Sequence, residues 1–298
     1  LLGSRGVIEG IKYVDTLAGM TDKAEMNKVL EAHKKNFKGS ELVGKTLGVV
    51  GLGAIGSMVA EMALTMGMEV VGYDPALSVE AAWRLSSQVR KAIILSALFA
   101  RCDYISLHLP VLDSTRELVN AELLSAVRKG TVLLNFARQE IVHEESLVDA
   151  LNGDKLRKYI ADFPSPALIG RDDVILMPHI GASTDEAEDN CAIMAADQIR
   201  DFLEHGNITN SVNFPNLSLE RVTGCRLSVT NENVPKILGS VLSILADENI
   251  NVIDMLNKSR EGIAYNLIDI ECHVTDAVLD KMRSLEGVIN VRLIGDCA

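Results

Sequence analysis

Residues 45–56 read KTLGVVGLGAIG, and this stretch decides the fold of the chain. It begins as an apolar run of strand length and continues into the pattern Gly-x-Gly-x-x-Gly, from which a helix is predicted to run to Gly67. Gly51 permits a tight turn, Gly53 permits close approach of a ligand to the backbone, and Gly56 permits close packing of the helix on the strand. The unpaired N–H groups at the start of this helix favour an anion.

A second predicted strand, residues 68–73, leads to Asp74, which lies 18 residues after Gly56. An acidic side chain at this position of a strand–helix–strand unit binds the 2′,3′-diol of a ribose and repels a 2′-phosphate. Three glycines after a strand are also compatible with ordinary turns. Because strand, glycines, helix, strand and acid occur in the required order, we predict a dinucleotide site for NAD rather than NADP.

The composition is typical of a globular protein with two modest domains. Of the 298 residues, 48% are hydrophobic and 23% are charged, which excludes a disordered chain. A formal net charge of −12 argues against a nucleic-acid partner, and no apolar run is long enough to cross a membrane. The five cysteines have no Cys-x-x-Cys spacing, which predicts no disulfide framework, no metal site and reduced thiols in a cytoplasmic protein.

Strands and helices are predicted to alternate from residue 45 to residue 177. The predicted strands are 45–50, 68–73, 103–108, 131–135, one that ends at 162, and 174–177. The predicted helices are 1–18, 54–67, 93–100, 120–127, 144–151 and a long one at 183–206, whereas 76–92 is ambiguous. Such alternation defines an α/β fold class with a doubly wound parallel Rossmann sheet.

The pattern changes after a linker at residues 212–216. Strands are predicted at 225–229, 251–256, 266–271 and 288–293, with helices at 237–245 and 278–285. This βαββαβ order is that of a ferredoxin-like unit. We therefore predict an NAD-binding domain over residues 1–182, a connecting segment over 183–215 and a ferredoxin-like domain over 222–298.

Glycine and polar residues follow the predicted strands of the first domain. They are Gly51, Asp74, His108, Arg138, Asp162 and His179. Because open α/β sheets bind ligands at the carboxyl edge of their strands, we expect these residues to line one crevice.

Three of these residues match the needs of a nicotinamide enzyme that acts on a hydroxyl group. His179 titrates in the range of a base for the hydroxyl proton, and its small neighbours leave room for a ligand. Arg138 can grip a carboxylate through two parallel hydrogen bonds. Asp162 can hold the carboxamide of the nicotinamide, whereas His108, at a strand end near a proline, is more typical of packing.

Several segments together resemble one family, the NAD-dependent D-2-hydroxyacid dehydrogenases. These segments are GLGAIG at 51–56, SLHLP at 106–110, NFAR at 135–138, ADFP at 161–164 and PHIGAST at 178–184. The chain also resembles the branch of that family that has a C-terminal ACT domain. The features that carry this resemblance are EAEDNC at 186–191, VNFP at 212–215 and the βαββαβ unit. The resemblance covers nearly the whole chain.

The resemblance implies an NAD-dependent oxidation of 3-phospho-D-glycerate to 3-phosphohydroxypyruvate, the first step of L-serine biosynthesis. It implies that Arg138 binds the carboxylate and carbonyl of the substrate, and that His179 is the catalytic acid and base. The NAD-lining positions that it implies are Gly51, Gly53, Ala54, Ile55, Gly56, Asp74, His108, Pro110, Phe136, Ala137, Arg138, Asp162, His179, Gly181 and Ala182. Two alternatives stay open: a dehydrogenase for another D-2-hydroxy acid such as 2-hydroxyglutarate, and a non-catalytic protein that senses NAD.

The resemblance also implies a regulatory domain and a homodimer or homotetramer. In the C-terminal unit, Asn231, Asn233 and Asn251 match the positions that bind an L-serine effector in that branch. A dimerisation domain without a ligand is equally compatible with the same residues.

Three features depart from the family pattern. Ala167 stands where the family has a glutamate that orients the histidine, and Gln139 stands where it has a glycine. Residues 1–5, LLGSR, read like the middle of an apolar helix, which predicts that a lobe with much of the substrate-phosphate site precedes them. Residues 183–215 are then the remaining part of that lobe, so we expect this chain to bind NAD but to turn over 3-phospho-D-glycerate slowly.

Overall fold

The computed structural model describes residues 1–77, 79–221, 224–271 and 274–295. The chain divides into two compact units, Leu1–Gly181 and Ala182–Ala298. Among the described residues, no cluster of histidine, cysteine, aspartate or glutamate side chains could hold a metal ion. No helix in the same ranges is long and apolar enough to cross a membrane.

The first unit is built on a seven-stranded parallel sheet, which confirms the predicted fold class. Its strands are β1 (Thr46–Val50), β2 (Glu69–Tyr73), β3 (Arg90–Lys91), β4 (Tyr104–Leu107), β5 (Thr131–Asn135), β6 (Leu156–Ala161) and β7 (Val174–Leu176). They are hydrogen-bonded in the order β3-β2-β1-β4-β5-β6-β7, and every neighbouring pair is parallel. The order reverses direction between β1 and β4, and open α/β sheets bind ligands outside the carboxyl ends of strands at such a point.

Helices cover both faces of this sheet. They are α1 (Val7–Asp15), α2 (Lys23–His33), α3 (Ala54–Thr65), α4 (Val79–Arg84), α5 (Leu95–Arg101), α6 (Ala121–Ser125) and α7 (Glu144–Asn152). Alternate residues of a strand point to opposite faces. Accordingly, Ile105 and Leu133 belong to one apolar cluster, and their neighbours Tyr104 and Val132 belong to another. β4 is therefore buried along its whole length.

The beginning of the chain differs from the prediction. Residues 1–5 form a turn in which the Ser4 N–H donates to the Leu1 carbonyl at 3.0 Å, and α1 begins only at Val7. The prediction of a helix over residues 1–18 is therefore wrong at both ends. Tertiary packing explains the turn, because Ser4 is buried and a Cβ on Gly3 would lie 2.7 Å from Cδ1 of Ile160.

The second unit begins with the long helix α8 (Asp185–His205) and continues in the predicted βαββαβ order. Its remaining elements are β8 (Cys225–Glu232), α9 (Ile237–Asp247), β9 (Val252–Arg260), β10 (Ile263–Ile270), α10 (Asp276–Arg283) and β11 (Val288–Ile294). The four strands form an antiparallel sheet in the order β11-β8-β10-β9. Both helices after β8 pack on one face of this sheet through an apolar cluster that includes Val229, Val241 and Leu279.

The opposite face of this sheet holds the chain that follows α8. The side chain of Arg226 on β8 is 1% exposed and forms a bidentate ion pair with Asp269 on β10, at 2.6 Å and 2.8 Å. It also donates to the backbone carbonyls of His205, Leu219 and Glu220. Arg226 therefore joins the end of α8 and the following segment to the sheet. The assignment of residues 183–215 to a substrate lobe stays a prediction.

The cysteines depart from the prediction at one position. Cys225 is disulfide-bonded, so the expectation of wholly reduced thiols is wrong there. Cys102 and Cys191 are free, and burial raises the pKa of the Cys102 thiol to about 12. Cys272 and Cys297 lie outside the described residues. Spacing along the chain does not reveal which cysteines meet in the fold, so the sequence could not predict this bond.

Candidate functional site

The glycine turn between β1 and α3 has the shape that a pyrophosphate requires. Gly51 adopts a φ of +92°, and a Cβ there would lie 2.4 Å from the carbonyl oxygen of His108. A Cβ on Gly56 would lie 1.9 Å from the carbonyl oxygen of Gly51, whereas a Cβ on Gly53 would face open space. Only glycine therefore fits at positions 51 and 56, whereas the backbone at Gly53 is open to a ligand.

The first turn of α3 faces that open space with hydrogen-bond donors. The helix begins at Ala54 after Gly53, which has no side chain to accept from the first N–H groups. The side chains of Ala54 and Ile55 are exposed. Because unpaired N–H groups and the positive end of the helix dipole bind phosphates, this turn and helix start fit a pyrophosphate.

Asp74 is held at the end of β2 beside the glycine turn. Its Oδ2 accepts a hydrogen bond from the Leu52 N–H at 2.9 Å, and its Oδ1 accepts one from the Ala76 N–H at 2.9 Å. Each carboxylate oxygen has a second lone pair, so both can also accept from a hydroxyl group. The fixed carboxylate therefore fits the two hydroxyl groups of an adenosine ribose.

His108 borders the crevice between β1 and β4. Its Nε2 lies 2.8 Å from Oγ of Ser106, and its backbone lies against Gly51. Burial lowers the pKa of His108, so the imidazole is neutral at pH 7. A neutral histidine in this place suits a wall of the crevice. The roles of His108 and Pro110 in NAD binding stay predictions.

A buried asparagine, which the sequence reasoning missed, holds the loop that carries Arg138. Asn135 ends β5 and is fully buried; its Oδ1 accepts from the Ala137 N–H at 3.1 Å, and its Nδ2 donates to the Arg138 carbonyl at 2.9 Å. The Asn135 side chain also lies 3.3 Å from the Tyr159 hydroxyl on β6. These bonds fix the loop from Phe136 to Arg138 and leave the Arg138 side chain exposed. In the sequence, the polar Asn135 at the end of an otherwise apolar strand could have indicated that it holds this loop.

The structure brings His179 and Asp162 together. Asp162 directly follows β6, and His179 follows the neighbouring strand β7, so adjacent parallel strands deliver both to one edge. Nδ1 of His179 lies 3.4 Å from Oδ2 of Asp162, and the ring of Phe163 lies 5.2 Å from the imidazole. The side chain of His179 is 60% exposed, whereas that of Asp162 is 12% exposed. Ala167, which is exposed, offers only a methyl group.

Arg138, Gly181 and Ala182 are further predicted positions of the site. Within the described part of the chain, Arg138 makes no hydrogen bond or ion pair with His179 or Asp162; its guanidinium donates to the Ala137 carbonyl at 2.6 Å. Gly181 and Ala182 are exposed. Their assignment to the NAD site stays a prediction.

The three asparagines of the second unit do not form one cluster within a single chain. Asn231 pairs with Ala264 on β10, whereas Val252, next to Asn251, pairs with Ile270. These partners are six residues apart along β10, which corresponds to roughly 20 Å. Asn233 lies near Asn231, because its side chain donates to the carbonyl of Glu261 next to the start of β10.

The first unit thus has the properties of a dinucleotide-binding domain of the NAD type. Its sequence agrees with this class, because residues 12–181 match the family described as D-isomer specific 2-hydroxyacid dehydrogenase, NAD binding domain. The chain belongs to this family. The match confirms the resemblance found in the sequence and the predicted NAD cofactor.

Two similar proteins and one similar solved structure are all named as 3-phosphoglycerate dehydrogenases. D-3-phosphoglycerate dehydrogenase of Haemophilus influenzae is 34% identical over 273 residues, which cover 87% of this chain and 65% of the relative. The protein of the same name from Escherichia coli K12 is 32% identical over 268 residues, which cover 85% of this chain and 64% of the relative. A solved structure of NAD+-bound 3-phosphoglycerate dehydrogenase from Entamoeba histolytica is 34% identical, with a TM-score of 0.52, and the match covers 60% of this chain and 58% of that one. The chain thus spans less than two-thirds of the length of these relatives.

Proposed function

We propose that the protein is an NAD-dependent dehydrogenase that oxidises 3-phospho-D-glycerate to 3-phosphohydroxypyruvate, the first step of L-serine biosynthesis. The observation that carries the proposal is the pair of His179 and Asp162, which lies at the same edge of the parallel sheet as the glycine turn. The similarity to proteins named D-3-phosphoglycerate dehydrogenase supports the choice of substrate.

The reaction requires a base and a cation from the protein. His179 takes the proton of the substrate hydroxyl on its exposed ring. NAD, when bound, would supply the acceptor for the hydride from the same carbon. Nε2 serves as the base, because Nδ1 faces Asp162. Arg138 is exposed on a loop fixed by Asn135 and binds the substrate carboxylate through its planar guanidinium.

The cofactor is assigned to residues 1–182. The start of α3 would hold the pyrophosphate, and Asp74 would hold the adenosine ribose. Oδ1 of Asp162 is buried and has no hydrogen-bond partner among the described residues, so it fits the amide of the nicotinamide carboxamide. The cytoplasmic location expected from the sequence stays a prediction.

A second candidate function is oxidation of another D-2-hydroxy acid. Arg138 and His179 recognise a hydroxyl group beside a carboxylate, and 2-hydroxyglutarate meets this requirement as well as 3-phospho-D-glycerate does. A non-catalytic NAD sensor is the third candidate, but such a protein has no need of an exposed histidine paired with a carboxylate.

The three candidate functions predict different results when NADH formation is measured. The chain, and the full-length protein if a longer one exists, should be assayed with NAD and with 3-phospho-D-glycerate, 2-hydroxyglutarate or D-lactate. We expect the highest kcat/KM with 3-phospho-D-glycerate, at a low kcat for this chain. A higher kcat/KM with 2-hydroxyglutarate would support the second candidate. NAD binding without NADH formation from any acid would support the sensor.

We further propose that residues 222–298 form a regulatory ACT domain in a homodimer or homotetramer, with residues 183–215 as part of the substrate lobe. Asn251 lies roughly 20 Å along the sheet from the end that carries Asn231 and Asn233. An L-serine site that uses all three asparagines therefore takes residues from two copies of the chain.

Calorimetry with L-serine tests this regulatory proposal. We expect heat of binding with L-serine but not with D-serine, and loss of that heat in Asn233→Ala, because Asn233 is exposed at the proposed site. The exposed Asn36, in the first unit, supplies the control Asn36→Ala, which should bind L-serine normally. No heat with wild-type protein would favour a dimerisation domain without a ligand.

A further inference from the structure

A polar cavity of about 350 Å³ lies at the amino ends of four neighbouring strands of the first unit. Lys45 directly precedes β1 and Tyr104 begins β4, while Gly130 directly precedes β5 and Arg157 is the second residue of β6. The glycine turn and Asp74 lie at the carboxyl ends of β1 and β2. Since β1 has five residues, the two edges of the sheet are roughly 13 Å apart. The cavity is therefore not part of the dinucleotide site.

Three basic side chains line this cavity, although the chain has 41 acidic and only 29 basic residues. They are Lys38, Lys45 and Arg157, and none of them forms an ion pair with another described residue. Asp103 is the only carboxylate among the described residues that line the cavity. Its two oxygens accept from the Arg128 guanidinium and from the first backbone N–H of β1, each at 3.0 Å. The cavity therefore has an excess of positive charge, which an anion would neutralise.

A bulge in β6 accounts for the position of Arg157. Thr131 of β5 pairs with Leu156, whereas the next residue of β5 pairs with Lys158. Arg157 is therefore an extra residue in the ladder, and such a residue can direct its side chain away from the regular alternation of the strand.

The Arg157 guanidinium lies beside two hydroxyl groups. Its Nη2 donates to the Tyr104 hydroxyl at 3.4 Å and to the Gly3 carbonyl at 3.1 Å. The Tyr104 hydroxyl lies 3.2 Å from Oγ of Ser40, which also lines the cavity. Nε and Nη1 of Arg157 have no hydrogen-bond partner among the described residues, so both can donate to a ligand. A fixed guanidinium and two hydroxyl groups thus offer donors to one anion.

We propose that this cavity binds a small molecule that carries a phosphate group. Lys45 and Arg157 lie on either side of β4 and β5, and Lys38 comes from the segment before β1. A phosphate has acceptor oxygens in several directions, whereas the two oxygens of a carboxylate lie in one plane, so a phosphate can accept from all three segments. Lysine binds phosphate as a point charge and arginine through its planar fork. The site shares no residue with the proposed dehydrogenase site and does not depend on that function.

Nuclear magnetic resonance of the ¹⁵N-labelled chain, titrated with inorganic phosphate, tests the proposal. The amide signals of Gly39 and Gly130 report on the cavity, because both residues line it, and those of Gly53 and Ala54 report on the start of α3. We expect saturable shifts at Gly39 and Gly130, which sodium chloride of equal ionic strength should not reproduce. Shifts confined to Gly53 and Ala54, no shifts at all, or equal shifts with sodium chloride would overturn the proposal.

Variants at the cavity identify the residues that bind. Lys45→Gln and Arg157→Gln should each weaken phosphate binding at Gly39 and Gly130 at least about tenfold, because each removes a charged donor. The Lys45 side chain has no hydrogen bond among the described residues, so Lys45→Gln should keep the wild-type fold. Lys23→Gln, at the exposed start of α2, is the control and should bind phosphate normally. Unchanged affinity in Lys45→Gln and Arg157→Gln would overturn the proposal.

Malonate, a dicarboxylate of similar charge, separates phosphate from carboxylate recognition. We expect it to bind at the cavity at least about threefold more weakly than inorganic phosphate, because its oxygens lie in two planes rather than around one centre. Tighter binding of malonate would overturn the assignment to a phosphate group.

Discussion

Replacing His179 by alanine is expected to lower kcat for 2-hydroxy acid oxidation by roughly 10²- to 10⁴-fold. The reason is that the variant has no base for the hydroxyl proton, whereas the glycine turn and Asp74 are unchanged. NAD affinity should therefore remain close to that of the wild-type chain. The side chain of His179 is 60% exposed, so its removal should change the thermal unfolding midpoint very little.

Steady-state kinetics, with NAD binding measured on the same samples, check this prediction. His33→Ala is the matched control, because His33 is an exposed histidine at the end of α2 in the same unit. It should keep wild-type kcat. A His179→Ala variant with more than about one-tenth of wild-type kcat would show that another group takes the proton.

Replacing Arg226 by alanine is expected to destabilise the second unit by about 3–5 kcal/mol. The substitution leaves the Asp269 carboxylate buried without its partner, since both side chains are at most 3% exposed. It also removes the donors to the carbonyls of His205, Leu219 and Glu220. Urea unfolding followed by circular dichroism measures the loss.

Two further variants isolate the cause. Arg226→Met combined with Asp269→Leu removes both charges and should be less destabilised than Arg226→Ala alone, because no buried charge is left unpaired. Arg200→Ala breaks an exposed ion pair with Asp197 in α8 and should change stability little. If the urea midpoint for the unfolding of Arg226→Ala equals that of the wild-type chain, the buried ion pair does not stabilise this unit.

Local patterns along the chain explain why the sheet of the first unit could be predicted. The glycine turn, the apolar strands and Asp74 all act within one strand–helix–strand unit, so sequence order alone carries the information. The strand β3 was missed because Arg90–Lys91 is two residues long, exposed and without an apolar pattern. Leu1 and Leu2 were assigned to a helix because their turn depends on packing against a distant strand.

The parts of the site that the sequence could not show depend on neighbours across strands. Asp162 and His179 were each chosen as candidates, but their pairing follows from the adjacency of β6 and β7. Asn135 was missed because its partners lie on its own loop and on β6. The ion pair of Arg226 and Asp269 joins residues 43 positions apart, and no periodicity predicts such a contact.

Titration calorimetry of the chain with NAD and with NADP tests the central claim most directly, namely that the glycine turn and Asp74 form an NAD site. We predict that NAD binds at least about tenfold more tightly than NADP, a difference of about 1.4 kcal/mol, because Asp74 repels a 2′-phosphate. Asp74→Ala should weaken NAD binding and remove most of that preference. Equal affinity for the two cofactors, or no NAD binding by the folded chain, would contradict the account.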